Sequence, residues 1–205
     1  MKVKICGVTN LDDALYIAEF GADAIGFVFY KNSPRYISYE ECAKIIEKLP
    51  PFITKVGLFV EATSKEIEIG AKISKIDIAQ IHFDVTQDFI DTIDFKSLPV
   101  IRANKKSDIE RFNSFRLVDA YSNSYGGSGK RLNLDWFNNI DCSNIIIAGG
   151  LTPYNLNELK GYGFYGVDVS SGVEAYKGKK DLQKVKEFIK NAKAIWTTNN
   201  TFQKK

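Results

Sequence analysis

Short runs of apolar and β-branched residues recur at 3–6, 24–29, 55–60, 77–81, 99–102, 116–119, 144–148 and 165–169, and each predicts a strand. Between them apolar residues return at helical spacing, as Leu11, Ala14, Leu15 and Ala18 do within 11–20, with comparable segments at 39–49, 64–73 and 181–190. Such alternation predicts parallel βαβ units. Eight of them close into a (β/α)8 barrel of the TIM type, whereas a flavodoxin-like open sheet needs only five strands. With 205 residues the chain sits at the lower edge of the barrel range, so some helices must be abbreviated, and 99–116 has room for only a brief one. No repeat or linker interrupts the pattern, and Pro34, Pro50, Pro51 and Pro99 fall at element boundaries. The expectation is a single α/β domain over 1–195, with 196–205 a polar, aperiodic tail that frays.

Composition narrows the function classes. The sequence is 44% hydrophobic and 26% charged, with a net charge of +3 from scattered basic residues. No basic stripe indicates a nucleic-acid partner, and no apolar run approaches the roughly 18 residues of a membrane span. A strand that begins after two residues is expected to leave no room for a signal peptide. Cys6, Cys42 and Cys142 are widely spaced and lack a C-x-x-C pair, which argues against a disulfide framework or a zinc site and fits a reducing cytoplasm.

In a barrel, chemistry sits at the C-terminal ends of the strands. The first strand ends Lys4-Ile5-Cys6-Gly7, and period-two alternation turns Lys4 and Cys6 to one face. Cys6 is either a small buried hydrophobe or a reactive thiol. A nearby ammonium can lower a thiol pKa from its ordinary ~8.5, although Lys4 can equally pair with Asp168. The sixth strand ends at Asp119, which either caps the next loop or, facing an apolar mouth, has its pKa raised and serves as a general acid. The following run Tyr125-Gly126-Gly127-Ser128-Gly129-Lys130 breaks the P-loop pattern and suits a glycine-hinged flap.

The loops after strands seven and eight carry Gly149-Gly150 and Ser170-Ser171. Barrels bind phosphate between these loops through backbone N–H groups, and the serine hydroxyls add donors. Arg35, after strand two, can grip a carboxylate bidentately. Gln80 and His82 share one face of strand four, with His82 either a hydrogen-bonded structural residue or a catalytic one.

These residues, with Gly26-Phe27-Val28-Phe29-Tyr30, Ser33-Pro34-Arg35-Tyr36-Ile37, Val56-Gly57-Leu58-Phe59-Val60, Gln80-Ile81-His82, Ala148-Gly149-Gly150-Leu151 and the run from Asp168 to Glu174, resemble the phosphoribosylanthranilate isomerases over nearly the whole chain. The resemblance implies an Amadori rearrangement in tryptophan biosynthesis, acting on a small phosphoribosyl substrate without cofactor or metal. It makes Cys6 the general base and Asp119 the general acid, gives Arg35 the anthranilate carboxylate, and gives Gly149, Gly150, Ser170 and Ser171 the phosphate. Strand four departs from the family pattern, with Phe83 where glycine usually follows Gln-x-His. A barrel of this size works as a monomer or a homodimer. A histidine-pathway isomerase on the same barrel would carry aspartate in place of Cys6 and phosphate loops in both halves, and a phosphosugar-binding barrel would lose the acid or the base.

Overall fold

The computed structural model describes residues 1–121 and 131–200, with 196–200 as backbone alone. All eight expected strands are present: β1 (Lys2–Ile5), β2 (Ala24–Val28), β3 (Thr54–Phe59), β4 (Ile78–Ile81), β5 (Ser97–Ala103), β6 (Arg116–Ala120), β7 (Ile145–Ile147) and β8 (Gly166–Val169). They form a closed parallel barrel in sequence order, with β1 beside β8 and Lys4 in register with Asp168.

Local chemistry sets the helix starts. Asn10 Oδ1 accepts the Asp13 N–H at 3.0 Å and opens α1 (Leu11–Glu19). Reciprocal Ser38–Glu41 and Thr63–Glu66 capping boxes open α2 (Tyr39–Ile46) and α3 (Ser64–Ser74). A short α4 (Gln87–Asp91) follows β4. After β5, β6 and β7 the described residues hold only 3-10 turns, at Lys106–Asp108, Leu134–Phe137 and Leu156–Leu159, which is how a chain this short completes eight units.

Beyond β8 lies a feature the apolar pattern did not indicate, an antiparallel hairpin of β9 (Glu174–Tyr176) and β10 (Lys179–Lys180). The last helix, α5 (Leu182–Asn200), runs past the point where a frayed tail was expected to begin. Its buried residues Val185, Phe188, Ile189, Ala192 and Ile195 anchor it to the main core, and from there each added residue gains a hydrogen bond without a new nucleation cost. Residues 201–205 and the glycine-rich run 125–130, with the flap expected there, lie outside the described residues.

Val3 and Ile5 belong to the large core under the helices, whereas Cys6 clusters with Val28 and Leu58 inside the barrel mouth. A separate cluster of Leu98, Val100, Leu117 and Ala148 fills the barrel interior. Among the described residues no helix is long and apolar enough to cross a membrane.

Candidate active site

Cys6 extends the first strand by one residue, donating its N–H to the Val169 carbonyl at 2.8 Å. Lys4 makes both expected contacts: its Nζ lies 2.8 Å from Asp168 Oδ1 in a buried ion pair, and it also bonds the Cys6 thiol. Burial opposes the ammonium charge, yet Asp168 and Cys6 together hold its pKa above the ordinary lysine value. The thiol behaves differently. Burial, aided by the Asp168 charge, raises the Cys6 pKa more than Lys4 and Lys180 lower it. The expected depression of the thiol pKa does not occur, because Lys4 spends much of its field on Asp168 and the thiolate would be fully enclosed.

Asp119 sits at the end of β6 with its side chain 19% exposed. Burial, reinforced by the Asp168 charge, raises its pKa to about 6 against the pull of the Ala120 N–H, Arg102 and Lys4. The loop-capping role coexists with this, since Asp119 Oδ1 accepts the Ala120 N–H at 2.8 Å. His82 Nε2 lies 3.9 Å from Asp119 Oδ2. Burial, with Arg102 and Lys4 nearby, lowers the His82 pKa to about 3, so the imidazole is neutral and this contact is not an ion pair at neutral pH.

The loops after β7 and β8 are built for close approach. Gly149 and Gly150 have φ of 90° and 60°, a left-handed conformation that favours glycine. A Cβ on Gly172 would fall 1.9 Å from the Leu151 carbonyl oxygen, so the two loops touch only because that position is bare. Ser170 Oγ is buried without a hydrogen-bond partner among the described residues, as is Gln80 Oε1. A buried hydroxyl in that state costs free energy until something fills its bonding capacity.

Cys6, Arg35, Asp119, Gly149, Gly150, Ser170 and Ser171 all line one open cavity at the C-terminal mouth of the barrel. Arg35 differs from expectation in its partner. Its Nε and Nη2 donate to Glu174 Oε1 and Oε2, both at 2.7 Å, so the bidentate grip falls on a carboxylate of its own chain.

A family model described as N-(5'phosphoribosyl)anthranilate (PRA) isomerase matches residues 3–191. This chain belongs to that family. The N-(5'-phosphoribosyl)anthranilate isomerase of Sulfurovum sp. (strain NBC37-1) is 60% identical over 196 residues, covering 95% of this chain and all of the relative. The crystal structure of phosphoribosyl anthranilate isomerase from Thermotoga maritima superposes with a TM-score of 0.88 at 38% identity, covering 95% of this chain and 99% of that one. A further phosphoribosyl anthranilate isomerase structure, in complex with reduced 1-(o-carboxyphenylamino)-1-deoxyribulose 5-phosphate, gives 0.82 at 37% identity over 95% of this chain and 99% of that one.

As in any barrel isomerase, the mouth here is assembled from residues far apart in sequence, and two charged residues behind its lining, Glu174 and Lys180, carry no signal of a role along the chain; the hairpin brings Glu174 to Arg35 and Lys180 to Glu174. Phe83, the departure from the isomerase pattern, packs edge-on against Phe89 with centroids 5.6 Å apart, outside the cavity lining. Among the described residues no group of three or more His, Cys, Asp or Glu is placed to hold a metal.

Proposed function

We propose that this isomerase converts N-(5-phosphoribosyl)anthranilate to 1-(2-carboxyphenylamino)-1-deoxyribulose 5-phosphate with Asp119 as general acid and Cys6 as general base. Asp119 protonates the furanose ring oxygen as the ring opens to an iminium. Cys6, as the thiolate, then removes the proton from C2, which the iminium has acidified, and the resulting enolamine tautomerises to the ketone. The observation that carries this assignment is the shared cavity: a carboxyl that keeps its proton toward neutral pH and a thiol at the opposite strand end face one space.

At one end of that space the Ser170 hydroxyl, which has no hydrogen-bond partner among the described residues, Ser171 and the backbone of Gly149 and Gly150 receive the phosphate. At the other, Arg35 meets the anthranilate carboxylate through the Nη1 N–H groups that Glu174 does not take. Holding both ends fixes the sugar between acid and base. The reaction draws on no cofactor, nucleic acid or membrane, and the protein acts in the cytoplasm, a reading supported by three free cysteines. It works as a monomer or homodimer; a related Thermotoga maritima enzyme is described as dimeric.

The test is loss of anthranilate-type fluorescence when purified protein meets freshly made phosphoribosylanthranilate. Cys6→Ala and Asp119→Asn are each expected to cut turnover by about 10² to 10⁴ with the fold intact. Near wild-type turnover in either variant would overturn the assigned roles, and loss no faster than spontaneous decay with the wild type would favour a binding protein.

A further inference from the structure

Glu174 is one carboxylate shared by two buried cations. Its oxygens take both Nε and Nη2 of Arg35, and Oε1 also takes Lys180 Nζ at 3.0 Å. The Lys180 side chain is 0% exposed, and among the described residues the Arg35–Glu174–Lys180 cluster sets two cations against one carboxylate. A cation buried so is costly, and well-packed apolar residues commonly do the structural work better. Its Nζ makes one more contact, to the Ser170 carbonyl oxygen at 3.2 Å, which also accepts the Val173 N–H at 3.4 Å. The backbone around Lys180 is pinned: its N–H donates at 2.9 Å to Asp13 Oδ2, an acid fully buried on α1.

We propose that Lys180 is a positioning residue that couples the two anion-holding ends of the site, setting Arg35 through Glu174 and the phosphate loop through the Ser170 carbonyl. Lys180 itself does not line the cavity, whereas Arg35, Ser170 and Ser171 do. Drawing the Ser170 carbonyl toward Lys180 aims the next N–H, that of Ser171, the opposite way across a planar trans peptide. The excess of cations over carboxylate in the cluster makes the wall of the cavity favour a substrate that is anionic at both ends. Burial lowers the Lys180 pKa, with Glu174 opposing, so the ammonium is held at the expense of folding free energy. This inference rests on the isomerase assignment above.

Lys180→Met removes the charge and keeps the stem, and Lys180→Gln removes the charge but keeps a donor. Both are expected to raise KM for phosphoribosylanthranilate by about tenfold or more while kcat changes by less than about threefold. The Kd for reduced 1-(o-carboxyphenylamino)-1-deoxyribulose 5-phosphate should weaken in step, and the unfolding midpoint should stay level or rise. Unchanged KM and Kd with a lowered midpoint, or failure of both variants to fold, would make Lys180 a purely structural residue and overturn the proposal. Titration with inorganic phosphate, followed by ³¹P line broadening, separates the two failures. A wild type that binds phosphate without isomerising refutes the isomerase assignment, while weaker phosphate binding by Lys180→Met still decides the role of Lys180.

Discussion

Gly26 leaves the space that the Cys6 thiol fills. A Cβ built on Gly26 would lie 2.8 Å from Cys6 Sγ and 3.0 Å from Lys4 Nζ, so the bare backbone of β2 permits the thiol and the ammonium to meet inside the mouth. Gly7 plays a matching part below Arg35: a Cβ there would fall 2.4 Å from Arg35 Cδ and 2.9 Å from Ser170 Oγ, on a backbone with φ of +75°. Two glycines thus make room for the side chains of Cys6, Lys4, Arg35 and Ser170 together.

Gly26→Ala therefore tests the placement of the proposed base, Cys6, without altering any polar group. The methyl must displace Sγ or Lys4, and a misplaced proton-transfer group is expected to cost about tenfold to a hundredfold in kcat/KM. Stability should fall by about 1–3 kcal/mol from overpacking, read by thermal unfolding. Wild-type kcat/KM with a destabilised fold would show that thiol placement does not limit turnover.

Asp119→Asn should trade activity for stability. The carboxyl pKa rises from 3.8 to about 6 in the folded protein, so the native state holds its proton more tightly than the unfolded chain. Native stability accordingly declines as pH rises from about 4 to 6, and the ionised form is the burdened one. Asparagine keeps the oxygen that accepts the Ala120 N–H and never ionises. The variant should be more stable than wild type by up to about 3 kcal/mol at pH 7, with the advantage gone near pH 4. Equal denaturation midpoints at pH 7 would refute the raised pKa.

The pH profile of kcat/KM follows from the same pair. The proposed roles need Asp119 protonated and Cys6 ionised, yet the acid titrates near 6 and the thiol pKa is raised. Between those two values the loss of one form offsets the gain of the other, giving a plateau. Activity should fall below about pH 6 on the limb set by Asp119, and again in alkali on the limb set by Cys6, the two values belonging to the coupled pair. A profile that rises continuously through pH 5 to 7 without levelling would contradict the assignment.

Ser170→Ala should separate binding from folding. Because Ser170 Oγ has no hydrogen-bond partner among the described residues, its removal is expected to leave stability unchanged or raise it by about 1 kcal/mol. If the hydroxyl receives phosphate, KM should rise by about tenfold with kcat little changed. A KM equal to that of the wild type would remove Ser170 from the phosphate site.

Much of this was legible along the chain because it depends on neighbours in sequence. The β-branched runs specified eight strands, and period-two alternation turned Lys4 and Cys6 to one face. Closure of an alternating chain then sends Cys6, Asp119 and the loops of Gly149 and Ser170 to one mouth, because every strand of a parallel barrel points the same way. Tertiary structure decided what no pattern carries. Whether Lys4 lowers the thiol pKa depends on how far Cys6 is desolvated and how closely Asp168 competes, both set by packing across the β1–β8 seam. Arg35 found Glu174 and Lys180 only through a hairpin whose alternation is too short to signal itself, and α5 outran its apolar pattern because a helix anchored on one face propagates through polar residues. Sequence spacing orders the elements along the chain; charge and burial are sums over everything that folding brings near.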